Sequence, residues 1–552
     1  MSVGWDTVPA HGRSWPATDA QLRRIFLGVW VVAILVRLIL AARLAPFGDE
    51  AWYWLESRHP APGYSDLPPA TAWLIRLGEV LFGHGVLAMR APFLVLGALL
   101  PLVLVRTATR VFDARAGWYA GLLALLMPLP GLLGIFALPD GPLTFAAACA
   151  LDAFERAARA GRRRDWVVLG GALALACLSH YRAAMLLGAG FAFVTVFSRG
   201  RVLWRDPGLW LALALGLAGA VPALLFNIRH HWAALDFQLV QRNPWHFHAD
   251  ALVQPLEQAL VCTPLFYGML LWALWRTWRC SRPMADPRMS AFPAVSVVRP
   301  AGGIQAGAPW DMFLCCAAVP IVAYFVLGLF ADDTRFRVHW PVPGYLPLLI
   351  VLPVLLRESR LTRGFRVATF VLLTLGNALT CAYLGMAAIP GAADVLAQAK
   401  AFPRQFVGWR EAAAQTHALL AQPRFADAVL VADNFMLAAE LDFAFGGART
   451  VYTLDHPINF KHGRAPQLAL WRLDESGLRR HAGEPVLLIV EPGARRARER
   501  ATWLETLCAR VADLTPVASL DAYAGRKRYR WYAGTVPVEA SLRADADCVA
   551  AR

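Results

Sequence analysis

Gly48-Asp49-Glu50-Ala51-Trp52-Tyr53-Trp54 places two adjacent carboxylates among aromatic side chains immediately beyond the first long apolar stretch, residues 25–44. A carboxylate at such a boundary is costly to strip of water, so it either stays hydrated or has a task such as accepting a proton or binding a cation. The same few residues thus mark where an apolar, membrane-crossing part of the chain gives way to a polar face on which chemistry is possible.

Composition agrees with that division. Hydrophobic residues make up 57% of the 552 residues, charged residues only 17%, and mean hydropathy is +0.44, which excludes an ordinary soluble protein and describes an α-helical polytopic membrane protein. Apolar runs recur at 25–44, 88–106, 117–137, 141–156, 166–180, 183–198, 208–227, 252–275, 311–330, 341–356 and 366–388. That predicts about eleven spans, some short. The first follows a polar tail without a small-residue cleavage site and is expected to remain as an anchor. The net charge of +15 comes largely from arginines in short loops between apolar runs, where they act as topology signals, so nucleic acid is not an expected partner.

Arginine placement also sets the orientation. With a cytosolic amino terminus, the inner loops hold the clusters around Arg106–Arg115, Arg156–Arg164, Arg199–Arg205, Arg276–Arg299 and Arg357–Arg366, while the outer loops beyond the first hold only scattered residues such as Arg182, Arg229 and Arg242. The Asp49 loop then faces away from the cytosol, and an odd number of spans exports the carboxyl-terminal region as well. The expected organisation is a cytosolic tail over 1–23, a transmembrane catalytic domain over 24–390 with a long first outer loop at 45–87, and an extracytoplasmic α/β domain over 391–552. Within the outer loop, Trp73, Leu74, Leu77, Val80 and Leu81 have helical spacing and predict a helix lying in the membrane interface. In the terminal domain, Ala428-Val429-Leu430-Val431-Ala432 before Asp433-Asn434 and Val486-Leu487-Leu488-Ile489-Val490 read as strands. Residues 278–310, rich in Pro, Gly, Ala and Arg, read as a flexible inner connection. Most of the nine cysteines lie singly in apolar runs without ligand spacing; Cys508 and Cys548 can pair if the terminal domain is outside the cytosol.

Two further polar sites fall on the same outer face. Leu138-Pro139-Asp140-Gly141-Pro142 presents Asp140 in a proline-flanked turn, either as a reactive carboxylate or as a cap for the next helix. Asp332-Asp333-Thr334-Arg335-Phe336-Arg337-Val338-His339-Trp340-Pro341 puts Arg335, Arg337 and His339 on alternate positions. Three donors on one edge suit a phosphate, of a substrate or of a lipid headgroup. Histidines in Asn227-Ile228-Arg229-His230-His231-Trp232 and Gln241-Arg242-Asn243-Pro244-Trp245-His246-Phe247-His248 fit either a metal site or an interfacial belt.

Taken in order, the 48–54 stretch, Gly63-Tyr64-Ser65-Asp66-Leu67-Pro68-Pro69, the Trp73 helix, Leu138-Pro139-Asp140 and His339-Trp340-Pro341 resemble the GT-C superfamily, in the branch containing protein O-mannosyltransferases and bacterial aminoarabinose lipid A transferases. The resemblance covers roughly residues 24–390. It implies the GT-C fold, a bacterial inner-membrane location and an inverting glycosyltransferase that uses a polyprenyl-phosphate sugar. Two positions depart from the branch: Asp66-Leu67-Pro68-Pro69 where Asp-His-Pro-Pro is common, and Ser179-His180-Tyr181 where Ser-Lys-Tyr is common. On this reading Asp49 is the base, Glu50 has a secondary catalytic role or, if the neighbouring side chains diverge, orients loop or helix partners, and Asp140 is a further catalytic carboxylate. Arg335, Arg337, His339, Arg182 and His180 bind the donor phosphate, and Trp52, Tyr53, Tyr64 and Asp66 contact substrate. The acceptor is a hydroxyl of an envelope lipid or glycan, and membrane lipids are partners. No cofactor is assigned, and a divalent cation at Asp140 stays open despite an incomplete ligand set. Transfer to protein Ser or Thr is the alternative within the class. A lipid or sugar transporter is the alternative outside it, but transporters gather their polar groups at mid-membrane rather than at the outer ends of spans.

Overall fold

The computed structural model describes residues 18–128, 134–242, 245–282, 307–330, 338–399, 401–538 and 548–550. Most of the 278–310 connection, together with Arg335 and Arg337, lies outside the described residues.

Helix α1 (Asp19–Arg43) opens on Thr18, whose hydroxyl accepts from the Gln21 amide while the Gln21 side chain accepts from Thr18 N–H, a reciprocal cap. Ile25, Val31, Val32, Leu35 and Ile39 of α1 face outward, as lipid contact requires. Helices α2 (Gly48–Arg58), α3 (Ala70–Phe82), α4 (Val86–Val111) and α5 (Ala114–Leu126) follow, then a long helix over Asp140–Ala160 and a series of apolar helices to Arg363–Ala387. Where α4 passes residue 134, Gly97 and Gly134 meet so closely that a Cβ on either would lie 2.5 Å from the other's Cα, the small-residue contact by which membrane helices pack.

By length and composition, four described helices can each cross a bilayer, Asp19–Arg43, Val86–Val111, Trp310–Phe330 and Arg363–Ala387, and as many as seven spans result if each of three sharply bent helix pairs counts as one. The eleven runs read from the sequence are thus not all straight spans. Arg163–Ser179 and Val342–Arg357 have only 17 and 16 residues, and Asp140–Ala160 carries Asp152, Glu155, Arg156 and Arg159 in its second half. There Arg110 of α4 reaches Asp152 at 2.7 Å and Glu155 at 2.8 Å, and Arg159 reaches Glu155 at 3.1 Å. Charge is therefore kept at one end of this helix, about 18 Å from Asp140 at the other.

Helix α3 forms over the stretch whose spacing predicts a helix. Trp73, Leu77, Val80, Leu81 and Phe82 are exposed along one side while Ala72, Ile75 and Gly78 are buried on the other.

From residue 401 onward the chain forms a five-stranded sheet in the order β2-β1-β3-β5-β4. β1 (Val429–Ala432) lies parallel to both β2 (Val451–Thr453) and β3 (Pro485–Val490), and β5 (Lys527–Thr535) pairs antiparallel with β3 and with β4 (Ala512–Ala522). Both sequence-predicted strands are present as β1 and β3. Their unbroken apolar runs follow from burial on two faces, as parallel strands require. After β1, the Asn434 side chain accepts from the Met436 and Leu437 amides and starts the helix Phe435–Ala444, which packs against α2 through Trp52–Phe435 and Trp54–Phe443 edge contacts at 5.4 and 5.2 Å. Cys508 and Cys548 are joined in a disulfide.

One buried ion pair sets the start of α2. Arg90 of α4 makes a fork-to-fork contact with Glu50, Nε to Oε1 at 2.8 Å and Nη2 to Oε2 at 2.5 Å, and its remaining donors reach the carbonyls of Ala41, Leu44 and Ala45. Glu50 also accepts from the amides of Phe47 at 2.9 Å and Ala137 at 2.7 Å. Removing one member leaves the other charged and buried, which costs about 3–5 kcal/mol. Arg90→Ala should accordingly unfold in detergent at clearly lower temperature than wild type; an unchanged midpoint would show that the pair carries no such weight.

Candidate active site

Consecutive residues on a helix point about 100° apart, so Asp49 and Glu50 cannot face one pocket. Glu50 turns inward to Arg90 and does not line the cavity. Its expected catalytic role is corrected to holding the loop, because every described polar contact of its carboxylate is structural. Asp49 turns the other way, into a cavity of about 500 Å³.

That cavity joins residues from widely separated segments. Asp49 and Tyr53 come from α2, Asp66 and Leu67 from the first outer loop, and Asp140 from the start of its helix. His180 and Arg182 come from the break after Ser179, Gln238 and Arg242 from the following outer segment, and His339 and Trp340 from just before Val342–Arg357. Lys461, His462 and Arg464 come from the terminal region. Of the residues expected at the site, Asp49, Tyr53, Asp66, Asp140, His180, Arg182 and His339 meet here. Trp52 and Tyr64, expected to contact substrate, do not line it. Both are fully buried: the Trp52 indole donates to Glu56 at 2.8 Å, and the Tyr64 hydroxyl donates to the Glu56 carbonyl at 2.9 Å. These aromatics brace α2 rather than face a ligand.

The wall around Asp140 is cationic and aromatic. Pro139 ends the preceding turn, and Asp140 opens its helix as the acid in the first turn. Arg182 Nη2 lies 2.5 Å from Asp140 Oδ1, and His339 Nε2 lies 3.5 Å from the same oxygen. His180 Nδ1 accepts from the Arg182 amide at 3.1 Å, which fixes the ring beside the guanidinium. The Arg182 and Arg242 guanidinia lie 5.7 and 5.4 Å from the Trp340 ring. Arg242 donates to the Gln238 side-chain Oε1 at 3.2 Å, and Gln238 Nε2 in turn donates to the Asp66 backbone carbonyl at 2.7 Å, which ties this wall to the next.

The opposite wall is centred on Arg464, a residue that the sequence reading missed. Its guanidinium pairs with Asp66, lies 3.4 Å from Asp49 Oδ1 and from the Tyr53 hydroxyl, and lies 3.7 Å from Glu56 Oε1. It sits over the rings of Trp52 and Tyr53, each at 5.1 Å. The preceding Gly463 has φ +71° and would carry any Cβ into the Phe237 ring, so only glycine allows the turn that aims Arg464. The Ser65 hydroxyl donates to the Gly463 carbonyl at 2.5 Å. Burial raises the Glu56 carboxyl from 4.5 to about 8 against the opposing pull of Arg464 and the Trp52 N–H, and it pushes the Tyr53 hydroxyl well above the ordinary phenol range.

The donor set does not suit a cation. Asp49, Asp66 and Asp140 each face an arginine, and among the described residues no group of three His, Cys, Asp or Glu side chains is placed to hold a metal ion. His230, His231, His246 and His248 form no such group either.

Residues 66–226, which include Asp66, Asp140, His180 and Arg182, match the family of dolichyl-phosphate-mannose-protein mannosyltransferases. Over 417 residues, 73% of this chain and 78% of the relative, the sequence is 24% identical to the lipid A galacturonosyltransferase RgtD of Rhizobium johnstonii. It is 27% identical over 246 residues, 41% of this chain and 43% of the relative, to the undecaprenyl phosphate-alpha-4-amino-4-deoxy-L-arabinose arabinosyl transferase of Pseudomonas aeruginosa. The crystal structure of ArnT from Cupriavidus metallidurans bound to undecaprenyl phosphate superposes with a TM-score of 0.64 at 18% identity, over 95% of this chain and all of that one. The chain has the GT-C fold. The resemblance drawn from its motifs to the O-mannosyltransferase and aminoarabinose-transferase branch therefore stands.

Glu56 offers a direct check on this geometry. A carboxyl whose folded value is raised to about 8 contributes stability that is complete below about pH 4.5 and is lost as pH rises through about 8. The unfolding midpoint of wild type in detergent should fall between pH 5 and 9, and Glu56→Gln should flatten that fall. Parallel curves for the two proteins would mean that Glu56 is not held protonated by burial.

Proposed function

We propose that the protein is a membrane glycosyltransferase that moves a sugar from a polyprenyl-phosphate carrier to a hydroxyl of an envelope lipid or glycan, with inversion at the anomeric carbon. The observation that carries this reading is the convergence of Asp49 and Asp140 with Arg182, His339 and Arg464 around one cavity, from segments spread across the chain. Two relatives are named as lipid A or undecaprenyl-phosphate sugar transferases, and the ArnT structure holds undecaprenyl phosphate. Both a lipid-borne phosphate and a sugar acceptor are therefore sensible occupants.

The reaction follows from what the groups can do. A hydroxyl is a poor nucleophile at neutral pH, so Asp49 takes its proton while the oxygen bonds to the anomeric carbon on the face opposite the carrier. The bond from that carbon to the phosphate oxygen breaks, and its electron pair leaves with the lipid phosphate. Anionic charge then grows on the phosphate, and donors already in place stabilise it without reorganising. Arg182 and His339 supply such donors beside Asp140, and His180 lines the same wall, where the branch commonly has lysine. Arg335 and Arg337 belong to the same proposal by sequence. Asp140 orients Arg182 and offers an acceptor to a sugar hydroxyl.

The cavity faces outside on this reading. The arginine-rich loops favour the opposite face for the cytosol, and the Cys508–Cys548 disulfide suits an oxidising compartment on the side to which the terminal region contributes Arg464.

Purified protein incubated with radiolabelled polyprenyl-phosphate sugar and envelope lipid extract should yield labelled lipid or glycan. Asp49→Asn should lower kcat by about 10²–10⁴-fold while polyprenyl phosphate still binds. Equal turnover by wild type and Asp49→Asn would reject Asp49 as the base. Arg182→Ala should weaken donor binding and slow transfer together, and an unchanged KM and kcat would remove it from the phosphate site.

A further inference from the structure

We infer that Arg464 is a positioning residue for the base, inserted by the terminal region to fix the direction and charge of the Asp49 carboxylate. The inference rests on the glycosyltransferase reading and adds to it a requirement for the terminal region in the chemical step.

The contacts distinguish this from an arginine that merely joins two parts of the fold. Arg464 is shared among three acids: Nη1 serves Asp66 and Glu56, and Nη2 serves Asp49 and the Tyr53 hydroxyl. The three acids are not equivalent. The Glu56 and Asp66 side chains are 1% and 4% exposed, whereas Asp49 is 22% exposed and opens onto the cavity. Asp66 and Glu56 hold the guanidinium, and Asp49 is the member left able to meet a substrate.

Arg464 is itself held from both sides. Gly463 turns the chain at positive φ and is fastened by the Ser65 hydroxyl, while the Gln467 side chain accepts from the Ser65 amide at 2.9 Å. The arginine therefore has little freedom to follow Asp49. Asp49 must come to it, and the carboxylate is held at one orientation before the acceptor arrives, which is the entropic part of catalysis.

Charge follows from the same placement. Tyr53 on α2, Asp66 on the outer loop, and Lys461 and His462 beside Arg464 line this part of the cavity, Glu56 lies buried behind it 3.7 Å from the guanidinium, and Asp140, His180, Arg182, Arg242 and His339 line the rest. Without Arg464, Asp49 would sit among neighbouring acids with its nearest cation gone. The loss of that cation is what a pH profile of transfer reads.

The test is the pH profile of kcat/KM for sugar transfer by the full-length protein, with wild type, Arg464→Gln, Arg464→Lys and Asp66→Asn compared. Arg464→Gln should lose about 10²-fold in kcat with little change in donor KM, and its acid limb should move to higher pH by about one unit or more. Arg464→Lys should bring the acid limb back toward wild type without restoring the rate, because a point charge cannot span Asp49 and Asp66 together. Asp66→Asn removes a competitor for the guanidinium and should move the limb to lower pH, so it decides the matter even if Arg464→Gln does not fold. Acid limbs that coincide in the folded variants, with rates lowered equally at every pH or not at all, would overturn the positioning role. If Asp49→Asn is inactive while those limbs coincide, only this inference falls. If Asp49→Asn is active, the glycosyltransferase assignment of the base falls with it.

Discussion

The Arg90–Glu50 pair is the contact on which the site depends. Arg90 holds the carbonyls at the end of α1 and the carboxylate at the start of α2, while the same carboxylate accepts from Ala137, three residues before Asp140. One fork of charge therefore sets the relative positions of both acidic segments. A neutral pair could not do this in a buried setting, because each backbone group it serves would be left without a partner when the side chains moved. The energetic value of such a pair against an apolar replacement is small or negative, so its use here is geometric. It decides which of two adjacent carboxylates is free to act.

The cavity that results is balanced rather than strongly basic. Asp140 faces Arg182, and Asp49 and Asp66 share Arg464. Glu56, buried and 3.7 Å from Arg464, is pushed up to about 8 by its burial, while the pairing gives each of the three aspartates a guanidinium partner. It also removes the oxygen ligands that a divalent cation would need. For the proposed reaction, the cations that the cavity offers a departing phosphate are those of arginine, lysine and histidine side chains.

How much of this could be read in the sequence depended on distance along the chain. Asp49 and Asp140 were legible because each interrupts an apolar run, and a carboxylate there needs a reason. The α3 helix and strands β1 and β3 were legible from periodicity and from unbroken apolar runs. Glu50 was not separable from Asp49 by type, since only the helical rotation between neighbours sends one inward. Trp52 and Tyr64 read as ligand contacts because aromatics beside a reactive carboxylate look the same whether they face a ligand or pack beneath it. Arg464 left no signal at all. It is separated from Asp49 by 415 residues, and in a chain rich in arginine nothing local distinguishes a buried one from a surface one. Hydropathy likewise finds apolar runs but not the bends within them, such as those that break 183–205, 207–229 and 249–281.

The aromatic residues of the opening motif then acquire a use that their chemistry explains. A helix of 11 residues is too short to be stable by itself. Trp52 and Trp54 give α2 two large faces that pack against Phe435 and Phe443 on the terminal region's helix, while Glu50 on the other side reaches Arg90 on α4. The helix is thus clamped between membrane helices and sheet domain, and Asp49 lies at its first turn, between the two. A terminal region that only covered the cavity would not need to grip the helix that carries Asp49. Its contact through buried tryptophans, and through an arginine reaching the carboxylate itself, makes the two parts of the chain one site.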